Sequence, residues 1–119
     1  PAYLLSATDQ PLLGTALEHF GLTPYFERVV TEREAGASKR FPAPYLLCLR
    51  YAGVEARDAV LLEDSLTNLR TAKALGMTVC GVRDEWKADR EAEIRAVSDL
   101  FIEDFRGGNA EALLRLILR

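Results

Sequence analysis

The chain has 119 residues, of which 49% are apolar, and its 15 lysines and arginines against 18 aspartates and glutamates give a formal net charge of -3. Average apolar and charged fractions exclude a disordered or fibrous chain, and the length fits one globular domain, residues 1–119. No stretch approaches the roughly 18 apolar residues that a membrane span requires, and the acidic balance does not favour nucleic acid or an anionic membrane surface. We therefore expect neither nucleic acid nor a membrane as a partner.

Apolar runs of strand length alternate with segments of helical period, and turn residues stand at the junctions. The first half of the chain predicts a strand at 2–5, a helix at 11–20, a strand at 29–31, a polar loop at 32–41 and a helix at 45–52. The second half predicts strands at 59–62, 77–82 and 100–102, with helices at 65–75, 87–98 and 109–118. Because parallel neighbours need helical crossovers, this alternation predicts an α/β fold with a mostly parallel sheet.

Ligands of such sheets bind beyond the carboxyl ends of the strands, so the residues that follow each strand are the first candidates for a site. Ser6 ends the first strand, and its hydroxyl, with the backbone amides that begin at Ala7, can hold phosphate oxygens. The alternative is that Ser6 is only a cap or loop residue. Lys39 lies in the loop before a proline-initiated helix, where an ammonium can offset the charge of a phosphoryl group. An ordinary solvated lysine is the alternative there.

Two adjacent carboxylates, Glu63 and Asp64, close the wholly apolar run 59–62, which is typical of a strand buried on both faces. Hard oxygen ligands at a strand end suit Mg²⁺, which takes one or two carboxylates and leaves its other positions to water and phosphate. The alternative is that these residues only begin the next helix, with Asp64 or Ser65 as its cap. Asp84, which follows the strand at 77–82, is a weaker candidate for a second supporting acid.

In order, the segment LLS (4–6), Lys39 with Pro42 behind it, LLEDSLTN (61–68) and AKALGM (72–77) resemble the haloacid dehalogenase superfamily. More closely, they are similar to its phosphatase and β-phosphoglucomutase-like branch. The resemblance covers nearly the whole chain and implies a Rossmann-like three-layer sandwich, of which this chain is a partial core domain. It also implies that Ser6 and Ala7 bind phosphoryl oxygens, that Lys39 holds the phosphoryl group and the nucleophile, and that Asp64, supported by Glu63, ligates Mg²⁺. We expect these side chains to converge at one rim of the sheet.

The chain departs from that family in several places. The family's nucleophile is the first aspartate of a D-x-D segment at the end of an earlier strand, and no D-x-D occurs between Pro1 and Arg119. The cap domain that selects the substrate is also missing. Arg40 and Phe41 follow the lysine where a proline is common, and Asn68 stands where this branch often has glycine. We therefore expect a carboxyl-terminal portion that is inactive alone and has the missing amino-terminal segment of the same protein as its partner.

For the complete protein, the resemblance implies Mg²⁺-dependent hydrolysis of a small phosphorylated metabolite through an aspartyl-phosphate, by a phosphatase or phosphomutase. The alternative is a non-catalytic regulatory module that binds phosphate and Mg²⁺ but has lost the nucleophile. A phospho-receiver switch is disfavoured, because its lysine follows the phosphoacceptor aspartate, whereas Lys39 precedes Asp64.

Cys48 and Cys80 form neither a C-x-x-C motif nor a disulfide framework, which predicts two buried thiols in a reducing compartment and a cytoplasmic protein.

The coding sequence upstream of Pro1 offers a direct test of the missing motif. We expect it to encode a short apolar strand that ends in D-x-D. Sequencing the surrounding locus checks this, and an intact start codon at or next to Pro1 would count against the expectation.

Overall fold

The computed structural model describes residues 2–104 and 108–118, and it divides into two compact units, Pro1–Val54 and Glu55–Arg119. Each unit is described by itself. In both, the strands pair in parallel and are connected through helices, so the α/β class is confirmed. The assignment of all 119 residues to one domain stays a prediction.

The first unit contains a two-stranded parallel sheet. Strand β1 pairs with β2 so that Leu4 lies opposite Val29 and Ser6 opposite Thr31. Both strands therefore end level with each other, and the loops that follow them start at the same edge of this sheet. The elements of the unit are β1 (Tyr3–Ser6), α1 (Gln10–His19), a 3-10 turn (Thr23–Tyr25), β2 (Arg28–Thr31), α2 (Glu32–Ala35) and α3 (Ala43–Ala52).

Helix α2 was not predicted, because the polar composition of 32–41 is typical of a loop. The helix begins directly after β2 because the hydroxyl of Thr31 accepts a hydrogen bond from the amide of Glu34 at 3.1 Å, which caps the first turn. It ends at Gly36, whose φ of 75° is a left-handed conformation that glycine adopts without strain. A single helical turn therefore sets where the Lys39 loop begins.

The second unit contains a three-stranded parallel sheet in the order β3-β4-β5. Glu63 lies opposite Gly81, and Val82 lies opposite Ile102. The acid pair therefore leaves the sheet beside the carboxyl half of β4. The elements are a 3-10 turn (Ala56–Asp58), β3 (Val60–Glu63), α4 (Leu66–Ala74), β4 (Thr78–Val82), a 3-10 segment (Glu85–Arg90), α5 (Glu91–Val97), β5 (Leu100–Ile102) and α6 (Gly108–Leu118).

The buried core of this unit surrounds β4, not β3. Val79 and Cys80 of β4 are fully buried, as are Leu69 of α4 and Ile102 of β5. The prediction that the strand around 59–62 is buried on both faces is wrong, since Leu62 of β3 is 40% exposed. The reason is that β4 has a paired strand on each side, whereas β3 stands at the edge of the three-stranded sheet.

Helix 87–98 was also predicted too long at its start. The carboxylate of Asp84 accepts a hydrogen bond from the amide of Trp86 at 2.9 Å, which begins a 3-10 segment, and regular α-helix follows only from Glu91.

Among residues 2–104 and 108–118, no helix has the length and apolarity needed to cross a membrane.

Gly81 gives a test of how closely α5 packs on β4. A Cβ atom at Gly81 would lie 2.9 Å from Cγ2 of Ile94 and closer still to Oγ of Ser98. Gly81→Ala is therefore expected to lower the free energy of unfolding by about 1–3 kcal/mol through overpacking. Urea unfolding followed by circular dichroism measures the change.

Gly14 in α1 is the matched control, because a Cβ there would meet nothing within 4 Å. Gly14→Ala is expected to leave the stability unchanged or to raise it by up to roughly 1 kcal/mol, since alanine is the better helix former. Equal stability of the two variants would contradict the packing argument.

Candidate functional site

Ser6 is the last residue of β1, and the loop that follows it reaches α1 only at Gln10. The hydroxyl oxygen of Ser6 accepts a hydrogen bond from the amide of Thr8 at 3.0 Å, and Ala7 between them is exposed. Asp9, not Ser6, occupies the position before the first helical residue, so Ser6 does not cap α1. The Ser6 oxygen is thus used as an acceptor within the loop, and its hydroxyl hydrogen can act as a donor.

Lys39 lies in a β-turn that the amide of Phe41 closes by donating to the carbonyl of Ser38 at 3.0 Å. The backbone of Lys39 also makes two side-chain contacts. Its amide donates to Oε2 of Glu32 at 2.5 Å, and its carbonyl accepts from the hydroxyl of Tyr45 at 2.6 Å. The lysine is half-buried, and its backbone is held from α2 and from α3.

The first unit brings the Ser6 loop and the start of the Lys39 segment to one edge of its sheet. Ser6 lies opposite Thr31, the residue that caps α2. An exposed ion pair joins the two segments, since Nη1 of Arg33 in α2 lies 3.4 Å from Oδ2 of Asp9. A hydroxyl, the exposed backbone after it and a lysine-bearing loop thus belong to neighbouring strand ends of the same unit. This is a set of groups suited to an anion.

Glu63 and Asp64 stand at the end of β3 in the second unit, and Ser65 caps the helix that follows by accepting from the amide of Asn68 at 3.4 Å. Oε1 of Glu63 accepts from the amides of Asp64 and Ser65 at 3.1 and 3.3 Å. Oε2 of Glu63 accepts from the side-chain amide of Asn68 at 3.3 Å. The helix-capping interpretation is therefore correct for Ser65, and Glu63 orders the turn that presents Asp64.

The donor set of this turn fits a hard cation. Two carboxylates at one strand end supply oxygen ligands, and the hydrogen bonds to Glu63 fix the orientation of its carboxylate, as partners of metal ligands do. Within residues 2–104 and 108–118, no group of three or more histidines, cysteines, aspartates and glutamates is close enough to hold a metal ion. A hard cation at this turn would therefore need water or other oxygen ligands to complete its coordination.

Another charged group of the second unit contains Arg83 and Glu91. Arg83 forms a two-pronged contact with Glu91, with nitrogen-to-oxygen distances of 2.6 and 3.2 Å. This hydrogen bonding lowers the pKa of the Glu91 carboxyl and raises the pKa of Arg83. The pair connects the end of β4 to the start of α5, and Asp84 beside it caps the 3-10 segment.

Two residues that contact Lys39 were not found from the sequence. Tyr45 is a buried residue with 1% exposure, and its hydroxyl contacts the Lys39 carbonyl. A tyrosine on an apolar helix face is itself a signal, because a buried hydroxyl nearly always has a partner. The sequence contains no such signal for Glu32, because a single acid in a polar segment can have many different partners or none.

The parallel strands and crossover helices, with polar residues after the strand ends, define an α/β domain of the Rossmann-like type. A family model described as haloacid dehalogenase-like hydrolase matches residues 4–82. The chain belongs to this family. The resemblance to the haloacid dehalogenase superfamily inferred from residues 4–6, Lys39 and 61–77 is therefore confirmed.

Two curated relatives are phosphatases. The chain is 30% identical over 83 residues to fructose-1-phosphate phosphatase YqaB of Escherichia coli, a match that covers 70% of this chain and 44% of the relative. It is 27% identical over 82 residues to phosphoglycolate phosphatase of Yersinia pestis, with coverage of 69% and 35%. The chain thus spans less than half the length of either relative.

Solved structures have the same fold. A Thermotoga maritima protein assigned as a β-phosphoglucomutase has a TM-score of 0.81 at 24% identity, over 96% of this chain and 52% of that protein. A HAD phosphatase from Thermococcus onnurineus has a TM-score of 0.71 at 29% identity, over 98% of this chain and 50% of that protein. The Rossmann-like fold predicted from the sequence is confirmed.

The two cysteines are Cys48 in α3 and Cys80 in β4. Cys80 is buried as predicted, whereas Cys48 is only half-buried. Burial raises the pKa of each thiol to about 11, and the negative charge of Glu34 adds to the effect at Cys48. At pH 8 only about one thiol in a thousand is then ionised, and thiolate is the reactive form.

We expect both cysteines to react slowly with Ellman's reagent at pH 8 in the folded chain and rapidly in urea. The rate should rise with pH towards 11, and a Cys48→Ser variant isolates the contribution of Cys80. Fast labelling of the folded protein at pH 8 would contradict the effect of burial on the thiol pKa.

Proposed function

We propose that this chain supplies the phosphate-binding and metal-binding groups of a phosphatase that acts on small phosphorylated metabolites. The observation that carries the proposal is the set of polar groups at parallel strand ends: Ser6 after β1, Lys39 after β2 and the acid pair after β3. The match to the hydrolase family over residues 4–82, which include all of these residues, supports it. The proposed setting is the cytoplasm, and the proposed partners are a phosphorylated metabolite and an amino-terminal segment of the same protein.

In this proposal, the first unit holds the phosphoryl group. The Ser6 hydroxyl donates to one phosphoryl oxygen, and the exposed backbone at Ala7 offers its amide beside it. The Lys39 ammonium offsets the negative charge, with an interaction of about 4 kcal/mol at 4 Å and an effective dielectric near 20. Groups fixed before the reaction stabilise a transition state that gathers negative charge.

In the second unit, Asp64 is the proposed Mg²⁺ ligand, with Glu63 as the second carboxylate of the pair. Mg²⁺ held there would supply positive charge that stabilises an anionic ligand. The hydrogen bonds that Glu63 accepts from Asp64, Ser65 and Asn68 hold the turn in place before any ligand arrives.

The proposed nucleophile is an aspartate outside these 119 residues, since the chain contains no D-x-D segment. Its carboxylate oxygen would bond to phosphorus as the bond from phosphorus to the substrate oxygen breaks, and the substrate leaves as an alcohol once protonated. Water would then attack the aspartyl-phosphate, which releases inorganic phosphate and restores the carboxylate. In this proposal the cap segment determines which substrate is bound. It also determines whether the phosphoryl group is transferred to water or to a second sugar hydroxyl.

The missing nucleophile also favours a second candidate function, a regulatory module that binds phosphate and Mg²⁺ without turnover. The two candidates share the binding groups and differ only in hydrolysis. A colorimetric assay for phosphate released from sugar phosphates by the complete protein separates them.

Calorimetric titration of the 119-residue chain with inorganic phosphate in the presence of Mg²⁺ tests the shared binding groups. Lys39→Ala is expected to weaken phosphate binding by about ten- to a hundredfold, since a hydrogen bond to a charged group contributes about 1.5–3 kcal/mol. Asp64→Asn is expected to remove the dependence of that binding on Mg²⁺. In an assay of the complete protein, each change should reduce turnover by about two orders of magnitude.

The chain offers matched controls for both changes. Arg40→Ala removes the exposed cation next to Lys39, and Asp58→Asn neutralises an exposed acid that precedes β3, at the opposite end of the strand from Asp64. Both controls should bind phosphate and Mg²⁺ as the wild type does. A chain whose phosphate binding is unaffected by Lys39→Ala and Asp64→Asn would refute the proposed function.

A further inference from the structure

The backbone of Lys39 is held on both of its polar groups by side chains from two different helices. Glu32 of α2 accepts from its amide, and Tyr45 of α3 donates to its carbonyl. We propose that Glu32 and Tyr45 are positioning residues that fix the point from which Lys39 reaches the phosphoryl group. This inference rests on the proposed function and adds two residues that act through Lys39 and do not touch the substrate.

Glu32 ties the Lys39 amide to the sheet. It is the first residue of α2 and directly follows Thr31, the 3% exposed end of β2 whose hydroxyl caps this helix. A carboxylate acceptor makes the contact a charge-assisted one, which is shorter and stronger than a bond between neutral groups. Lys39 is the second residue of the β-turn from Ser38 to Phe41. The hydrogen bond of the turn joins its fourth residue to its first and therefore does not use the Lys39 amide. Glu32 supplies the partner that the turn does not.

Tyr45 ties the Lys39 carbonyl to the core of the first unit. Its side chain is 1% exposed in the first turn of α3, so packing fixes the ring and the direction of the hydroxyl. A buried hydroxyl without a partner is costly, which favours the contact with the carbonyl. The position of the Lys39 carbonyl therefore follows the packing of α3.

These two contacts together fix the peptide planes on both sides of the Lys39 Cα atom. The direction in which its side chain leaves the backbone is then set before a ligand binds. A lysine side chain has four rotatable bonds, so an unfixed starting point would add loop motion to an already flexible group. A displacement of about 1 Å at a reacting centre can reduce rate by about a hundredfold, which explains why two contacts far from the phosphoryl group matter.

Tyr45→Phe tests the inference, because it removes only the hydroxyl. The variant is expected to bind inorganic phosphate about three- to tenfold more weakly than the wild type in calorimetry with Mg²⁺, the effect of one lost hydrogen bond. Hydrogen exchange of the Lys39 amide, measured by NMR, should become faster. Tyr51→Phe is the matched control: it removes another hydroxyl from α3, one that bonds to Glu34 of α2. It should leave phosphate affinity within about twofold of the wild type.

The Glu32 variants form an independent pair. Glu32→Ala removes the acceptor and should weaken phosphate binding and speed exchange of the Lys39 amide, whereas Glu32→Gln keeps an uncharged acceptor oxygen and should reverse most of both effects. If Tyr45→Phe fails to fold, this pair decides the question. Rescue by glutamine separates positioning of the amide from a simple effect of charge or of overall stability.

The outcomes separate this inference from the function on which it rests. If Lys39→Ala weakens phosphate binding but Tyr45→Phe and Glu32→Ala bind like the wild type, the positioning role is wrong and the proposed function stands. If the wild type binds no phosphate, or Lys39→Ala binds it equally well, the proposed function is wrong and the positioning role falls with it.

Discussion

Parallel strand pairing is the constraint on which the position of every candidate residue depends. Strands that run in the same direction need a crossover between them, so the loops that leave their carboxyl ends all begin at one edge of their sheet. In the first unit this places Ser6 level with Thr31, the residue that caps α2. In the second unit it places Glu63 level with Gly81. Within each unit, the polar side chains follow from the topology of the strands, and only their detailed orientation is left to local contacts.

Those local contacts give several of the candidate residues a structural role as well. Glu63 is the plainest case, since both of its oxygens accept hydrogen bonds that order the turn into α4. A carboxylate oriented in this way costs less to arrange around a cation than one that moves freely, because its orientation is fixed before binding. The capping interpretation and the metal-binding interpretation of the acid pair are therefore compatible, although the sequence presented them as alternatives.

The sequence predicted the features that depend on pattern and missed those that depend on contacts. The five strands and their helical connections follow from runs of apolar residues such as 77–82, and glycines such as Gly53 mark where helices stop. The exposure of Leu62 could not be predicted, because burial on both faces depends on which strand gains two neighbours, and composition does not encode the order of a sheet. Helix α2 was missed because its stability comes from one threonine cap and one left-handed glycine, and polar residues otherwise dominate the segment.

The same distinction explains the departure at Arg40 and Phe41, where relatives of this family commonly place a proline after the lysine. A proline restricts the backbone by its ring, but Arg40 is the third residue of the β-turn from Ser38 to Phe41, a position at which proline is disfavoured in the commonest turn type. Here the turn is closed by the Phe41 amide, and the lysine is held by an acid and a tyrosine from the flanking helices. A proline ring can make such a loop rigid. In this chain hydrogen bonds hold the backbone of Lys39 instead, so the missing proline does not imply a loose Lys39 loop.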